Sequence, residues 1–117
     1  MRNNVDELLD EEHWRVEAQA VINDVKMHVQ NIKVSERLTS TNKVIYLNLT
    51  TLEGLRLCVE LSASGFTIVG NRYDDVSNTN NEHFETPYSL LEYVSPRYRE
   101  SFGLSLLNKL KDLKNQQ

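Results

Sequence analysis

Histidine and cysteine are the side chains most able to bind a metal or act as a nucleophile, and this chain has few of them. Its three histidines, His13, His28 and His83, lie far apart and lack the spacing of metal ligands. Its one cysteine, Cys58, has no second thiol to pair with and no histidine close by in the sequence to activate it. We therefore expect surface histidines, a packed or half-exposed thiol, and no metal site.

Carboxylates are concentrated in a polar stretch that begins at residue 74. Asp74 and Asp75 are followed by Glu82 and Glu85. Paired carboxylates can act as general acid and base or bind calcium, but this spacing fits no calcium loop. The four glycines are too scattered to form a phosphate-binding loop. The residues therefore give no support for an enzyme or a cofactor, and we expect the carboxylates to be solvated.

The length and charge of the chain favour a single small domain. Its 117 residues are 39% apolar and 26% charged, which is ordinary for a globular protein. The net charge of −4 arises entirely in residues 1–12, which hold one arginine and five acidic residues. We expect residues 1–12 to be an acidic, disordered lead-in and residues 13–117 to form one α+β domain. The lack of a signal peptide, of a long apolar run and of paired cysteines favours the cytoplasm.

The first periodic segment predicts an amphipathic helix. Apolar residues recur every three or four positions from Glu12 to about Asn31, and no glycine or proline interrupts them. The stripe consists of Trp14, Ala18, Val21, Val25, Val29 and Ile32.

The period then changes to two, which predicts β-strands. Four segments, at residues 32–38, 44–50, 55–61 and 66–73, are rich in alternating or strand-forming residues and joined by short connections. Short connections join antiparallel neighbours, so we expect a four-stranded antiparallel meander with one buried face and one more polar face. Residues 74–85 are expected to form a mobile polar loop.

Two helix starts follow this loop. In Thr86-Pro87 and in Ser95-Pro96, a capping hydroxyl precedes a proline suited to the first helical position. We expect a short helix over residues 87–94 and a longer one over residues 96–114. The longer helix carries an apolar stripe of Tyr98, Phe102, Leu106, Leu110 and Leu113, widened by Leu107. The predicted architecture is an N-terminal helix, the meander, and two C-terminal helices packed on the sheet.

The two long amphipathic helices are the features that point to a function. Each must bury its apolar stripe on the sheet or present it to a groove on a partner. Burial on the domain's own sheet is favoured for most of each stripe. One sheet face can cover only a limited area, so part of a stripe remains for a partner.

Three segments of the chain resemble a known family. They are VEAQAVINDVKMHVQNI at residues 16–32, LRLCVELSASGFTIVG at residues 55–70 and TPYSLLEYVSPRYRESFGLSLLNKLKDLK at residues 86–114. In this order and spacing they resemble the glycogen synthase kinase-3 interaction protein family over about residues 14–114, and the third segment is the most specific. The domain also resembles a segment of the large clustered-mitochondria proteins, but the size of this chain matches the small stand-alone members.

The resemblance implies a non-enzymatic adaptor. Family members bind glycogen synthase kinase-3 beta through the C-terminal helix and restrain its activity, which implies inhibition or scaffolding of the kinase and a part in Wnt signalling. The family's kinase-contacting leucine falls on Leu110, and residues 104–113 are similar to the helical kinase-binding segment of axin. The alternative for Leu110 is a core leucine beneath the same helix. The anchors expected in the kinase groove are Leu106, Leu107, Leu110 and Leu113.

Some family members also anchor protein kinase A, whose dimerised regulatory type II subunits dock on the first helix. Lys26 stands where those members carry leucine, and Lys33 where they carry a large apolar residue. Burying an unpaired ammonium group costs a few kcal/mol, so we expect at most weak anchoring here. The alternative is that this helix simply packs on the sheet. The docking residues implied by the resemblance are Ile22, Val25, Val29 and Ile32.

The clustered-mitochondria resemblance implies a different role, as a structural or assembly domain associated with ribonucleoprotein. The C-terminal helix gives the one hint of nucleic acid, because its basic residues outnumber its acidic ones. Lysines near a helix C-terminus also suit the helix dipole, so we expect no specific nucleic acid and no membrane as partners. The expected location is the cytoplasm, with the nucleus as a second compartment. The basic residues are Arg97, Arg99, Lys109, Lys111 and Lys114, against Glu100 and Asp112.

Overall fold

The structure, a computed structural model, describes residues 11–78 and 82–115. Helix α1 (Glu11–Val25) continues into a 3-10 turn (Lys26–His28), and five strands and two further helices follow. The strands are β1 (Asn31–Val34), β2 (Val44–Thr50), β3 (Arg56–Ser62), β4 (Gly65–Gly70) and β5 (Glu82–Phe84). The helices are α2 (Pro87–Val94) and α3 (Pro96–Asn115). The α+β class and the order of the elements agree with the sequence prediction.

The sheet is an antiparallel meander in which each strand pairs with the next one along the chain. Leu49 lies opposite Ile32, and Leu47 lies opposite Val59, so apolar side chains of neighbouring strands share one face. Gly65, the first residue of β4 directly after the turn, has a φ of +128°, and an added Cβ would clash with the Phe84 carbonyl oxygen. Glycine at this position therefore permits both the turn and the close approach of the chain near β5.

Helices α1 and α2 cover the apolar face of the sheet. At the start of α1, Trp14 is buried and its Nε1–H donates a hydrogen bond of 3.0 Å to the Asn42 carbonyl oxygen. Val25, at the end of α1, and Leu90 and Leu91 of α2 join the same core. The strands contribute Ile45, Leu47, Leu49, Leu57, Val59, Leu61, Phe66 and Ile68.

The opposite face of the sheet is the more polar one, as predicted, but part of it is also covered. Residues 71–78 fold across it, and Asn48 and Cys58 are buried beneath or beside this segment. Asp74 Oδ1 accepts a hydrogen bond of 2.8 Å from Asn48 Nδ2 and one of 2.5 Å from Ser35 Oγ. Gly70 makes this cover possible, because an added Cβ would lie 1.9 Å from the Asp75 carbonyl oxygen.

These contacts correct part of the predicted mobile loop. Residues 74–78 are ordered by hydrogen bonds to the sheet, and Asp74 is half-buried rather than fully solvated. The pKa of Asp74 is lowered by the hydrogen bonds from Asn48 and Ser35, which stabilise the carboxylate. Burial raises the pKa of the Cys58 thiol, which fits the expected packed cysteine and not a reactive thiolate.

A fifth strand, β5, lies within the segment that was predicted to be a mobile loop. β5 pairs with β4, with Phe84 opposite Phe66 and His83 opposite Thr67. Its position is fixed by tertiary contacts, since the Phe84 ring packs 5.3 Å from that of Tyr93 in α2. Three residues held in this way leave no detectable period in the sequence, which is why four strands were predicted and five are found.

Helix α1 is shorter than the sequence predicts. It ends at Val25 and not near Asn31, and Val29 already has an extended backbone with φ −142° and ψ 163°. Val29 is buried and Ile32 packs against the core from β1, so both continue the apolar spacing without continuing the helix. Of the predicted lead-in, residues 1–10 lie outside the described residues, and Glu11 and Glu12 belong to α1.

Candidate functional site

The N-terminus of α3 is fixed to the domain by hydrogen bonds around Ser95. The buried Ser95 hydroxyl accepts a hydrogen bond of 3.1 Å from the Tyr98 backbone N–H and donates one of 3.1 Å to Glu53 Oε2. Glu53 Oε2 also accepts a hydrogen bond of 2.7 Å from the Arg97 backbone N–H. Loss of water around the Glu53 carboxylate would by itself raise its pKa, but the hydrogen bonds from Arg97 and Ser95 outweigh this effect and lower the pKa.

A second attachment joins α3 to the 3-10 turn. The Nδ1 atom of His28 lies 2.6 Å from Ser101 Oγ, within hydrogen-bond distance. The His28 ring also makes edge contacts with Tyr98 and Phe102, with centroid separations of 5.6 Å and 5.9 Å. His28 is buried, which corrects the expectation that all three histidines lie on the surface. The imidazole thus works as a packing group that holds the first turns of α3.

Beyond these first turns, α3 extends into solvent. Every side chain from residue 106 to residue 113 is exposed, and the predicted anchors are about half exposed. Leu110, the residue that the resemblance singled out, is 54% exposed. Helix α2 packs on the sheet as predicted, whereas α3 contacts α2 and the 3-10 turn, and Tyr98 is the one side chain among its described residues 96–113 that joins the core. The expectation that most of the α3 stripe is buried on the sheet is therefore wrong.

Five of the six exposed large apolar side chains of α3 form one continuous surface, and the sixth, Leu104, lies beyond Leu107 at its edge. A helix turns about 100° per residue, so Leu110 lies about 40°, and Leu113 about 20°, from Leu106 around the axis. Phe102 lies about 40° to the other side of Leu106, and Leu107 lies about 60° beyond Leu110. We call these five residues the leucine face. The side chains of α3 that face the domain, Tyr98, Ser101 and Ser105, lie about 80–140° away from Leu106.

The structure thus brings together all four predicted kinase anchors, Leu106, Leu107, Leu110 and Leu113, on one solvent-facing surface. It also places Phe102 at the base of this surface, where it is 44% exposed. Five large apolar side chains exposed side by side are unusual for an isolated domain and are typical of a docking surface. A rigid helix that is fixed only at its base can present this surface to a groove.

The residues implied for docking of protein kinase A do not form a comparable surface. Ile22 and Val25 belong to α1, but Val29 follows the 3-10 turn and Ile32 lies in β1. Val25 and Val29 are buried, and Ile22 and Ile32 are partly buried against the core. This finding corrects the expectation that the four residues share one helical docking face, and it agrees with the alternative of a helix packed on the sheet.

Sequence reasoning also missed two exposed apolar residues beside α3. Met27 in the 3-10 turn is 75% exposed, and Tyr88 in α2 is 40% exposed. Together with Phe102 and Leu106 they line a cleft at the base of α3. Met27 and Tyr88 come from other elements than α3, so no periodicity in the sequence could have assigned them to this surface.

The part of the chain that the structure describes has neither a metal-binding cluster nor a membrane-spanning helix. Within residues 11–78 and 82–115, no three histidine, cysteine or acidic side chains are grouped so as to hold a metal ion. In the same part of the chain, no helix is long and apolar enough to cross a membrane. The leucine face, which carries all four predicted kinase anchors in exposed positions, is the candidate functional site.

Comparison with known proteins places this chain in a family. A protein-family model described as the GSKIP domain matches residues 14–113. The chain belongs to the GSKIP domain family. The match runs from Trp14, the buried anchor of α1, to Leu113, at the far end of the leucine face. The GSKIP domain thus includes both the folded body and the projecting part of α3.

Curated relatives agree with this assignment. The chain is 44% identical to the "GSK3-beta interaction protein" of Danio rerio over 109 residues, covering 92% of this chain and 82% of the relative. It is 43% identical to the "GSK3B-interacting protein" of Homo sapiens over 106 residues, covering 90% and 76%. It is 33% identical to the "Protein GSKIP homolog" of Drosophila melanogaster over 94 residues, covering 78% and 79%.

Proposed function

We propose that this protein is an adaptor that binds glycogen synthase kinase-3 beta through the leucine face of α3. The observation that carries the proposal is the exposure of Leu106, Leu107, Leu110 and Leu113 on a helix that is fixed only at its base. The proposal is further supported by the family, since the vertebrate relatives are named for interaction with this kinase. The protein acts by binding and performs no chemistry of its own.

The mode of binding is a helix lying in a groove of the kinase. Apolar anchors at positions i, i+1, i+4 and i+7 from Leu106 enter the groove, and the charged residues of α3 remain at its rim. Burying the remaining exposed half of a leucine contributes about 1 kcal/mol, so four anchors supply about 4 kcal/mol before the costs of association. Because the helix occupies the groove, it excludes other amphipathic helices that use the same groove.

A calorimetric titration of glycogen synthase kinase-3 beta with three versions of the intact chain tests this proposal. The unmodified chain should bind, and Leu110→Glu should remove detectable binding because a carboxylate would be buried in an apolar groove. Val16→Glu is the matched control, since Val16 is 62% exposed and lies in α1, outside the leucine face. If folded Leu110→Glu protein binds as well as the unmodified chain, the proposed binding surface is wrong.

Binding through this groove has one of two consequences for the kinase, inhibition or scaffolding. We propose inhibition by occupancy, in which the chain competes with helical partners that the kinase needs for particular substrates. A phosphorylation assay with two substrates distinguishes inhibition from scaffolding. One substrate is recruited to the kinase through such a helix, and the other binds the kinase directly. Loss of phosphorylation of the recruited substrate alone supports occupancy, whereas no effect on either substrate favours scaffolding.

Anchoring of protein kinase A through α1 has less support. Val25 is only 1% exposed, so docking on the implied face would require α1 to leave its own core. Lys26 and Lys33 are both exposed, and charged side chains at these two positions do not provide an apolar docking stripe. Fluorescence anisotropy with labelled type II regulatory subunit dimers tests this directly, and we expect weak binding at most. A submicromolar dissociation constant would show that α1 leaves the core of the domain to bind the regulatory subunits.

The alternative role, an assembly domain associated with ribonucleoprotein, also has less support. It depends on the basic residues of α3, but these do not form a single stripe. Around the helix axis, Arg99 and Lys111 lie about 120° apart, and Lys109 lies about 80° from Arg99 on the opposite side. RNA binding that weakens steeply with salt would favour this role over the adaptor.

A further inference from the structure

The cleft at the base of α3 continues the leucine face onto other parts of the domain. One wall is formed by Asp24 and Met27, at the end of α1 and in the 3-10 turn. The other wall is formed by Phe102, Leu106 and Lys109 of α3. The cleft has a volume of about 390 Å³, within the range of pockets that accept a large side chain or a ligand.

The exposed part of this cleft is apolar on both walls. Met27 is 75% exposed on one side, and Phe102 and Leu106 are exposed on the other. A flexible, polarisable methionine adapts to the shape of a partner, and exposed methionines are common on binding surfaces. Tyr88 closes one end, where its hydroxyl donates a hydrogen bond of 3.4 Å to Asp24 Oδ2. Apolar walls with charged residues at the rim are the usual anatomy of a protein interface.

The cleft and the leucine face cannot be occupied independently, because they share residues. Phe102 and Leu106 line the cleft and are also the first two members of the leucine face. Leu110 follows one turn further along α3, on the same side of the helix. A partner that covers α3 from Leu110 toward the N-terminal end of this helix therefore also contacts Met27.

We infer that the kinase-binding surface is composite, with Met27 and Tyr88 as contact residues in addition to the leucine face. This inference rests on the proposed function, and its occupant is the same kinase. The partner must place an apolar ridge between Met27 and Leu106, with polar groups that face Asp24 and Lys109. The folded domain, and not α3 alone, then determines how tightly and in which orientation the kinase binds.

Substitution of Met27 tests the inference with little risk to the fold, since this side chain is mostly in solvent. In a calorimetric titration of the kinase with the intact chain, Met27→Glu should weaken binding about tenfold or more, because a charge would be buried at the interface. Met27→Leu should bind within about twofold of the unmodified chain, because it keeps the apolar contact. Circular dichroism and thermal melting confirm that each variant is folded.

Val16→Glu is the matched control. Val16 is 62% exposed, and it lies in α1 about 13 Å along the helix axis from Val25, where the helix ends before Met27. This change should leave the kinase affinity unchanged. If Val16→Glu weakens binding as much as Met27→Glu, the effect is one of net charge, and the proposed contact is wrong.

Failure of this inference can be distinguished from failure of the proposed function. If the unmodified chain binds and Leu110→Glu does not, while Met27→Glu binds normally, the kinase uses α3 alone and the composite surface is overturned. If the unmodified chain fails to bind, the proposed function itself fails. If Met27→Glu instead dissociates a dimer of this chain in sedimentation velocity and leaves kinase binding intact, a second copy occupies the cleft, and the inference is again overturned.

Discussion

Leu110 and Leu90 differ in whether the side chain is accessible to a partner or buried in the core of the domain. Both belong to apolar stripes of helices in the C-terminal part of the chain, α3 and α2. Leu110 is 54% exposed, whereas Leu90 is 2% exposed and contacts the apolar face of the sheet. Truncation of each to alanine should therefore have very different effects on the free energy of unfolding.

The magnitudes follow from the burial of each side chain. Full burial of a leucine contributes about 1.5–3 kcal/mol, so the half-exposed Leu110 contributes about 1 kcal/mol or less to folding. Alanine has the higher helix propensity, which offsets part of that loss. Leu90→Ala removes a fully buried side chain and leaves a cavity, at a cost of about 2–5 kcal/mol. For a domain of this size, 1 kcal/mol shifts Tm by about 4 °C, so Leu90→Ala should lower Tm by about 8–20 °C.

Thermal and urea denaturation of the two variants, followed by circular dichroism, measures both effects in one experiment. Leu110→Ala should melt within about 4 °C of the unmodified chain and keep its helical signal. Its effect should appear instead in kinase binding, where loss of one anchor costs about 1–2 kcal/mol, or about 5–30-fold in affinity. If Leu110→Ala and Leu90→Ala destabilise the fold equally, Leu110 is a core residue, and the assignment of the leucine face is refuted.

Three further predictions concern the fold that presents this surface. Val25→Glu should unfold the domain and Val16→Glu should leave it folded, as judged by amide chemical-shift dispersion, because Val25 is buried and Val16 is exposed; a folded Val25→Glu protein would contradict the position of α1. Ser95→Ala should lower the free energy of unfolding by about 1–2 kcal/mol in urea titrations, because the Tyr98 N–H loses its capping acceptor and Glu53 loses a hydrogen-bond donor. An unchanged midpoint of urea denaturation would refute the capping role of Ser95. Hydrogen bonds from Asn48 and Ser35 lower the pKa of Asp74 in the folded protein. The stabilisation by this carboxylate is therefore present above the ordinary aspartate pKa and is lost as pH falls through the lowered folded-state pKa. The free energy of unfolding of Asp74→Asn should depend less on pH below about 4 than that of the unmodified chain, and identical pH profiles for the two proteins would contradict the assigned hydrogen bonds.

Local signals in the sequence predicted the elements well wherever short-range chemistry decides them. Thr86 and Ser95 were identified as caps, and α2 and α3 begin at the prolines that follow them. The short connections predicted antiparallel neighbours, and the observed meander agrees. A side-chain cap and a proline act within one turn of a helix, so the sequence alone is sufficient to locate them.

The end of α1 could not be found in the same way. Val29 and Ile32 follow Val25 at spacings of four and three residues, which is the helical period. In the structure, these spacings span a 3-10 turn and the start of β1, and the side chains still reach the same core. Periodicity reports which residues face the core and does not report the backbone path between them.

The exposure of the leucine face shows a related limit. A stripe of leucines at positions 106, 110 and 113 has the same period whether it covers a sheet or faces solvent. The contacts of His28 and Glu53 with the first turns of α3 set the direction of the helix, and both contacts span long distances in sequence. The resemblance supplied the expected function of Leu110, whereas only the structure shows that its side chain is accessible.

The covered second face of the sheet depends on a long-range contact as well. Cys58 was expected on a more polar face, and it is fully buried because residues 71–78 fold over it. The hydrogen bonds between Asp74 and Asn48 join positions 26 residues apart. A run of polar residues predicts a solvated loop, and only the tertiary partners of Asp74 reveal an ordered cover.

Methyl NMR of the leucine-labelled chain in the presence of glycogen synthase kinase-3 beta tests the central claim most directly. The claim predicts that the methyl signals of Leu106, Leu107, Leu110 and Leu113 shift or broaden on addition of kinase. The signals of the buried Leu90 and Leu91 should change little, because these side chains are already enclosed in the core. Perturbation confined to residues remote from α3, or no perturbation at saturating kinase, would contradict the account.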